Sequence, residues 1–505
     1  MNQNSNRYDV VILGAGFAGS LLSTILSKHG MNVAVVDRSQ HPRFTVGESS
    51  TPAADFLLEH LVNRYELSDF KPLVRFGSWQ RAHPEVLCGC KRGFSYFYHG
   101  GADGFQARTD HRDELLVAAS ESNELADTQW YRADVDQFFV DVAKRQGVDL
   151  YEQTGVESAV RTAAGTWRLE GRSRRRPISF EAPFLVDATG AGRFLTQQLG
   201  IEDATDRLRT KSSAIYSHFD HLTTTTEWLR ECGAVLEDYP YTAEDSAVHH
   251  LFRDGWLWHL RFVNGRTSLG FVYDERGSKE EKSYAKQTHW QQVLDAHPVL
   301  RDVLGDAVMS SFPGRVLRTH RLQRLASVAA GDDWAALPFS AGFIDPMHST
   351  GIAHSISGVE RIARILIDSD SGQRGDALQQ YSESVIQEIE LIDKLVWGCY
   401  VGLEDFRLFN AWSMIYFAVV TTYERLFAEA KNEQVGFLGA TNPAIADCVN
   451  DLTAQLSLAE QSGEVNRDAW VESFCGTIRQ TIQPFNQVGL FDPPLPNMYH
   501  RTAAK

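Results

Sequence analysis

The chain has 505 residues, with 49 basic against 65 acidic side chains and a formal net charge of −16. That balance argues against nucleic acid and anionic membrane surfaces as partners, and the length asks for two or three lobes rather than one core. The longest charge-free apolar run, Leu408 to Tyr423, stops short of the roughly 20 residues that span a bilayer, no secretory signal precedes the first strand, and only Cys88 and Cys90 lie close together among the cysteines; the expectation is a reduced, soluble, cytoplasmic protein.

In chain order, the apolar run Tyr8 to Leu13 meets glycines at Gly14, Gly16 and Gly19. A helical pattern follows, with Leu21, Leu22, Ile25 and Leu26 on one side, and it stops at Gly30; a second strand, Val33 to Val36, ends in Asp37. This is a β-α-β unit carrying the dinucleotide fingerprint, whose glycines let a pyrophosphate approach the backbone and the positive end of the helix. Asp37 stands where a carboxylate accepts hydrogen bonds from a ribose. The unit alone leaves NAD and FAD open. The segment Pro42 to Pro52, dense in small and hydroxyl residues, reads as a flavin-facing loop that opens a helix near Thr51-Pro52.

From Lys71 to Trp130 the pattern is irregular. A strand at Phe94 to Tyr98 places Phe94, Tyr96 and Tyr98 as candidate walls of an aromatic pocket. A helix over Ala133–Gln146 and a strand over Val148–Tyr151 resume the nucleotide pattern, a basic hairpin tip follows at Arg172–Arg176, and Phe184 to Gly190 is a buried strand ending at Asp187. Residues 201–324 read as a second insertion, with Trp256 and Trp258 on one face of a strand. A helix then begins after Ser349-Thr350-Gly351, with Ile352, Ile356, Val359, Ala363 and Leu366 at the helical period. The free N–H groups of Thr350, Gly351 and Ile352 suit an anion or a flavin carbonyl oxygen, and Asp345 suits sugar or ribityl hydroxyls. Beyond Ala377 the chain is mostly helical, with Leu378, Tyr381, Val385, Ile389, Ile392 and Val396 as a core stripe, and Phe491 to Pro496 reads as a rigid surface tail.

The ordered set Gly14-x-Gly16-x-x-Gly19, Val46-Gly47-Glu48-Ser49, Lys91, Trp256-x-Trp258 and Phe343-Ile344-Asp345-Pro346…Ser349-Thr350-Gly351 resembles the flavin-dependent halogenases through nearly the whole chain. The resemblance implies an α/β fold with α+β insertions: a Rossmann-like FAD-binding lobe of the aromatic hydroxylase/halogenase type (1–70, 125–200 and 325–370), an inserted β-rich substrate lobe (71–124 and 201–324) and a C-terminal helical region (371–505). It also implies that FADH2 and O2 oxidise a bound chloride or bromide to hypohalous acid, which reaches a lysine beside an electron-rich ring. Lys91 falls at the matching position, and Thr350 and Gly351 would bind the halide. The cofactor set becomes Gly14, Gly16, Ala18, Gly19, Asp37, Arg38, Gly47, Glu48, Ser49, Ser50, Arg132 (paired with Asp136), Asp187, Asp345, Gly351 and Ile352.

Two positions depart from the family pattern. His348 stands where tryptophan-modifying members carry a glutamate base, which points toward phenols or resorcinols and leaves His348 as a base or a packed ring. Leu260-Arg261 replaces the Ile-Pro that continues the Trp-x-Trp motif. No second glycine-rich unit is visible for NADPH, so the expected partners are a separate flavin reductase and a small aromatic, free or carrier-bound, with no metal. A flavin aromatic hydroxylase of the same fold is the alternative enzyme, and a non-catalytic flavin- or NAD-binding protein is the alternative from another class; halide-dependent turnover separates the three.

Overall fold

The computed structural model describes residues 6–101, 104–276, 286–370, 372–429 and 435–502. Its first sheet grows from Val10–Leu13, a strand buried along its whole length. Val33–Val36 pairs on one side and Phe184–Asp187 on the other, both parallel, and Asp149–Tyr151 and Trp334–Ala336 extend the two flanks. These runs are apolar without alternation, as a parallel sheet covered on both faces requires. Helix Phe17–Lys28 packs against both Arg132–Arg145 and Gly351–Asp368, so three separate stretches of sequence meet beside the first glycine turn. A smaller meander, Thr154–Arg161, Trp167–Ser173 and Arg176–Ala182, takes Asn6–Arg7 at its edge. Its basic tip turns through Arg174 and Arg175, both at positive φ, which matches the twist of a two-residue hairpin.

The larger sheet joins strands from both expected insertions. Its order is Val308–Met309, Ser212–Asp220, Thr267–Asp274, Gly255–Arg261, Ala247–Phe252, Gly93–Tyr98, Glu114–Ala118 and Met498–Tyr499, with Leu317–Arg318 beside Ser212–Asp220. Trp256 and Trp258 share its inner face: Trp256 Nε1 donates to the Tyr400 hydroxyl at 3.1 Å, and Trp258 Nε1 to Ser268 Oγ at 3.1 Å.

Helices Arg374–Val401 and Phe406–Ala428 pack together, and Pro443–Ser462 and Asp468–Thr481 pack against them. The stripe from Leu378 to Val396 is buried. Among the described residues no helix is long and apolar enough to cross a membrane, and all six cysteines are free thiols. The surface segment Phe491 to Pro496 is not a terminal ornament. It delivers Met498–Tyr499 into parallel register with Leu116–Val117, where Met498 is fully buried, and Thr502 N donates to Ala118 O at 2.9 Å. A run of prolines signals a stiff surface path but says nothing of the two-residue strand beyond it.

Candidate active site

The glycine turn is built so that no side chain fits at Gly14 or Gly19. Gly14 sits at φ +107°, and a Cβ there would lie 2.3 Å from Ala188 O; a Cβ on Gly19 would lie 2.1 Å from Gly14 O. A Cβ on Gly16 would instead make ordinary contacts with the guanidinium groups of Arg43 and Arg132 and with Asp136 Oδ2, at 3.7, 3.8 and 3.9 Å. Asp37 accepts from Ala15 N (2.9 Å) and Ser39 N (2.8 Å), which fixes the turn against the second strand. Arg132 and the fully buried Asp136 form a bidentate pair at 2.9 and 3.0 Å. From it, Arg132 Nη1 reaches the carbonyls of Val46 and Gly47, while Asp136 accepts from Phe17 N at 3.3 Å. One ion pair thus ties the hydroxyl-rich loop to the glycine turn. Glu48 is buried and accepts from His218 Nε2 at 2.9 Å. Ala18 is half-buried and Arg38 exposed at the rim of this region.

Asp187 spends both oxygens on its own turn, accepting from Thr189 N, Thr189 Oγ1 and Leu195 N at 2.9, 2.6 and 2.7 Å. Asp345 is likewise engaged, with Ser212 Oγ and the Tyr400 hydroxyl each donating at 2.7 Å, and burial pushes its carboxyl up to about 6. Asp187 thus shapes its own turn, while Asp345 joins Ser212 and Tyr400 and also accepts from Met347 N at 3.1 Å. Beyond Asp345, Ser349 adopts φ +53° and Thr350 caps helix Gly351–Asp368. The first N–H groups of a helix have no intrahelical acceptor. A Cβ on Gly351 would meet nothing within 4 Å, and a small cavity lined by Phe343, Asp345, Thr350, Gly351 and His354 opens there.

Lys91 ends the strand Cys88–Lys91 and has no exposed surface. Its Nζ donates to Ser50 O and lies 4.0 Å above the Phe94 ring. Burial pushes the Lys91 ammonium down to about 7, against the opposing pull of Asp127 and Asp55. Asp127 is its cross-strand partner, and burial raises that carboxyl to about 6 despite Lys91, a hydrogen bond with Asp55, and Arg75. Asp127 left no signal in the sequence, because a polar Asp-Thr-Gln-Trp stretch does not look like a buried strand until its register is known.

Phe94 leads into a layer of rings. Tyr96 lies parallel to it with centroids 6.2 Å apart, His249 is 4.6 Å from Tyr96, and Tyr416 is 6.3 Å from Phe94. Tyr98, two residues further along, is remote from Lys91: its hydroxyl donates to Leu403 O and its ring stacks on Phe406. Tyr416 stacks on His348 at 4.2 Å and 4°, and His348 Nε2 lies 3.5 Å from Cys399 Sγ. Burial pushes the His348 imidazolium down to about 3, with His249 adding to the effect. His348 is therefore a neutral, weakly basic ring at neutral pH.

The sequence matches the tryptophan halogenase family model over residues 9–88 and 126–403. The chain belongs to the tryptophan halogenase family. This halogenase is 26% identical to monodechloroaminopyrrolnitrin halogenase PrnC of Pseudomonas fluorescens over 458 residues, covering 85% of this chain and 75% of that protein. It is 27% identical to tetracycline 7-halogenase of Kitasatospora aureofaciens over 423 residues, covering 80% and 72%. The fold is shared with halogenase PltM, solved in complex with phloroglucinol and FAD, at a TM-score of 0.81, 23% identity and 95% and 96% coverage. Membership makes the protein an FADH2-dependent oxidoreductase that uses O2 and halide.

The residues present fit FAD. A Cβ-free turn backed by two guanidinium groups suits a pyrophosphate, and Ser49 Oγ is buried without a hydrogen-bond partner on the loop that Arg132 holds. Asp136→Asn should weaken FAD binding about tenfold, roughly 1.4 kcal/mol, by releasing Arg132 from its bidentate geometry. Fluorescence titration measures this, and an unchanged Kd would remove the pair from the binding machinery.

Proposed function

We propose that this halogenase places halogen on a phenol- or resorcinol-type ring at Lys91, using reduced flavin from a separate reductase. The observation that carries the reading is the lysine itself: a primary amine with no exposed surface, poised over Phe94 at the edge of an aromatic layer. A structural surface lysine has no reason to be there, since burial disfavours its charge. Bound FAD supplies, with O2, the oxidising power that turns halide into hypohalous acid. In this reading Thr350 and Gly351 hold the halide with backbone N–H groups, and the two sites are separate, which keeps the oxidant away from flavin and thiols.

At Lys91 the ammonium donates to the oxygen of hypohalous acid. The ring attacks the halogen, the O–X bond breaks, and the departing hydroxide leaves as water with the proton that the attacked ring carbon gives up. A phenol stabilises the resulting cation through its own oxygen and needs no carboxylate at position 348, where the chain has only a neutral imidazole. His348 then serves as a wall against Tyr416, with Phe94 and Tyr96 completing the pocket.

Two outcomes test this. Resorcinol mixed with equimolar tryptophan should take nearly all of the halogen, read from isotope patterns by mass spectrometry; preferential halogenation of tryptophan would refute the substrate class. Because Lys91 loses its proton as pH rises through about 7, product formed per O2 consumed should fall above that pH. A ratio that instead rises would assign the work to the neutral amine, by way of an N–X bond.

A further inference from the structure

We infer that Gln129 binds hypohalous acid in transit, as the step between the flavin-facing loop and Lys91; this rests on the function proposed above. Strand Asp127–Trp130 lies between Cys88–Lys91 and the loop residue Ser49. Residues opposite one another in antiparallel strands project to the same face, as do residues two apart on one strand. The register pairs Gly89 with Gln129 and Lys91 with Asp127, and a further bridge pairs Ser49 with Gln129. Ser49, Gln129, Asp127 and Lys91 therefore share one face, in a line that starts beside the Arg132-held loop and ends at the lysine. Trp130 N donates to Glu48 O and Ser50 N to Thr128 O. These bonds flank the Ser49–Gln129 pair and make it the close, non-hydrogen-bonded kind, in which side chains approach most nearly.

Between the loop and Lys91, whose Nζ is engaged by Ser50 O, this line carries polar atoms without a hydrogen-bond partner. Gln129 has no exposed surface, yet neither its Nε2 nor its Oε1 makes a hydrogen bond, and Ser49 Oγ is also buried and unpaired. Native interiors pair the large majority of such groups, and each exception costs stability. An amide with donor and acceptor both unused matches a small molecule that is itself donor and acceptor, which hypohalous acid is. Register partner Gly89 carries no side chain, and the place its Cβ would take is filled by Arg261 O, 2.0 Å away, which walls this side of the amide. The transfer that follows forms one C–X bond and breaks one O–X bond, and the ring proton leaves with the hydroxyl as water.

The test uses full-length protein with FADH2 supplied by a reductase, bromide and resorcinol, and Gln129→Met as a shape-conserving variant. FAD affinity should stay within twofold of wild type. The melting temperature should hold or rise, because an unpaired amide is replaced by a thioether that wants no partner. Bromoresorcinol per O2 consumed should fall at least tenfold, with the missing oxidant recovered by an added 1,3-diketone scavenger. Gln129→Asn, which keeps the amide one carbon shorter, should restore part of the yield. An unchanged ratio in Gln129→Met overturns the inference, as does a variant that loses its fold or its FAD, since either shows that the amide is structural. If wild-type protein brominates nothing in the same assay, the proposed function itself has failed and this inference falls with it.

Discussion

Lys91→Met keeps the buried stem and removes the ammonium, so FAD binding and O2 consumption should survive while aromatic halogenation falls about a thousandfold. Loss of an essential catalytic group costs more than about 4 kcal/mol of barrier, which is that factor. The substitution removes a group whose charge is disfavoured by burial, so the folded protein should be no less stable; a Tm measurement separates lost chemistry from lost structure. Lys91→Arg should fail as well. A guanidinium is larger, offers no amine nucleophile, and would have to fit between Ser50 O and the Phe94 ring. The decisive quantity is product per O2 consumed, and a Lys91→Met protein with near wild-type yield would reopen the hydroxylase reading.

The second large effect concerns stability. Glu388 has no exposed surface and is held by Arg361 through two bonds of 2.7 and 2.8 Å, by His354 at 2.9 Å and by Phe437 N at 2.8 Å. Arg361 and His354 both lie on helix Gly351–Asp368, the helix whose first turn faces the small cavity beside Phe343 and Asp345. Burial alone would raise the Glu388 carboxyl, but Arg361 and His354 overcome it and hold it down at about 2. Arg361→Leu leaves that carboxylate buried with only His354 and Phe437 N beside it and no guanidinium, and should cost about 3–5 kcal/mol. The sign with pH follows from the depressed value. The wild-type contribution is complete above the ordinary carboxylate pKa of about 4.3 and is lost as pH falls through about 2. The gap between wild type and Arg361→Leu should therefore be widest at neutral pH and narrow below pH 4, measured as the midpoint of chemical unfolding. Adding Glu388→Gln should return part of the loss at pH 7; no recovery would mean the penalty comes from packing.

The lobe around Gly14 was legible because its signals are local. A strand, three glycines, a helix period and Asp37 lie within a short stretch, and the apolar period after Gly351 announces its own helix. Lys91 and His348 were singled out by position within a family order, but what surrounds them could not be read from it. Asp127 comes opposite Lys91 and Gln129 opposite Ser49 through cross-strand register, Tyr416 arrives from a helix far along the chain, and neither relation leaves a pattern in sequence. Tyr98 shows the same limit from the other side: alternation placed it on a face with Phe94 and Tyr96, but not how far along that face Lys91 reaches. Asp187 was marked by its place at a strand end, whereas its three internal donors are visible only in the folded turn.

The pairing of Met498–Tyr499 with Leu116–Val117 has a consequence for how the protein is made. Thr502 Oγ1 and its acceptor Ala118 O belong to residues 384 positions apart. At roughly 5–20 residues per second of synthesis, the strand Glu114–Ala118 leaves the ribosome on the order of tens of seconds before its last neighbour exists. Throughout that interval its outer row of N–H and C=O groups is an open edge, the kind of surface that recruits strands from neighbouring chains. On a message carrying several ribosomes, those neighbours are other copies of this same unfinished chain. Slow spacing of ribosomes, or a chaperone that shields strands during translation, should therefore raise the yield of folded protein more than any change made after release.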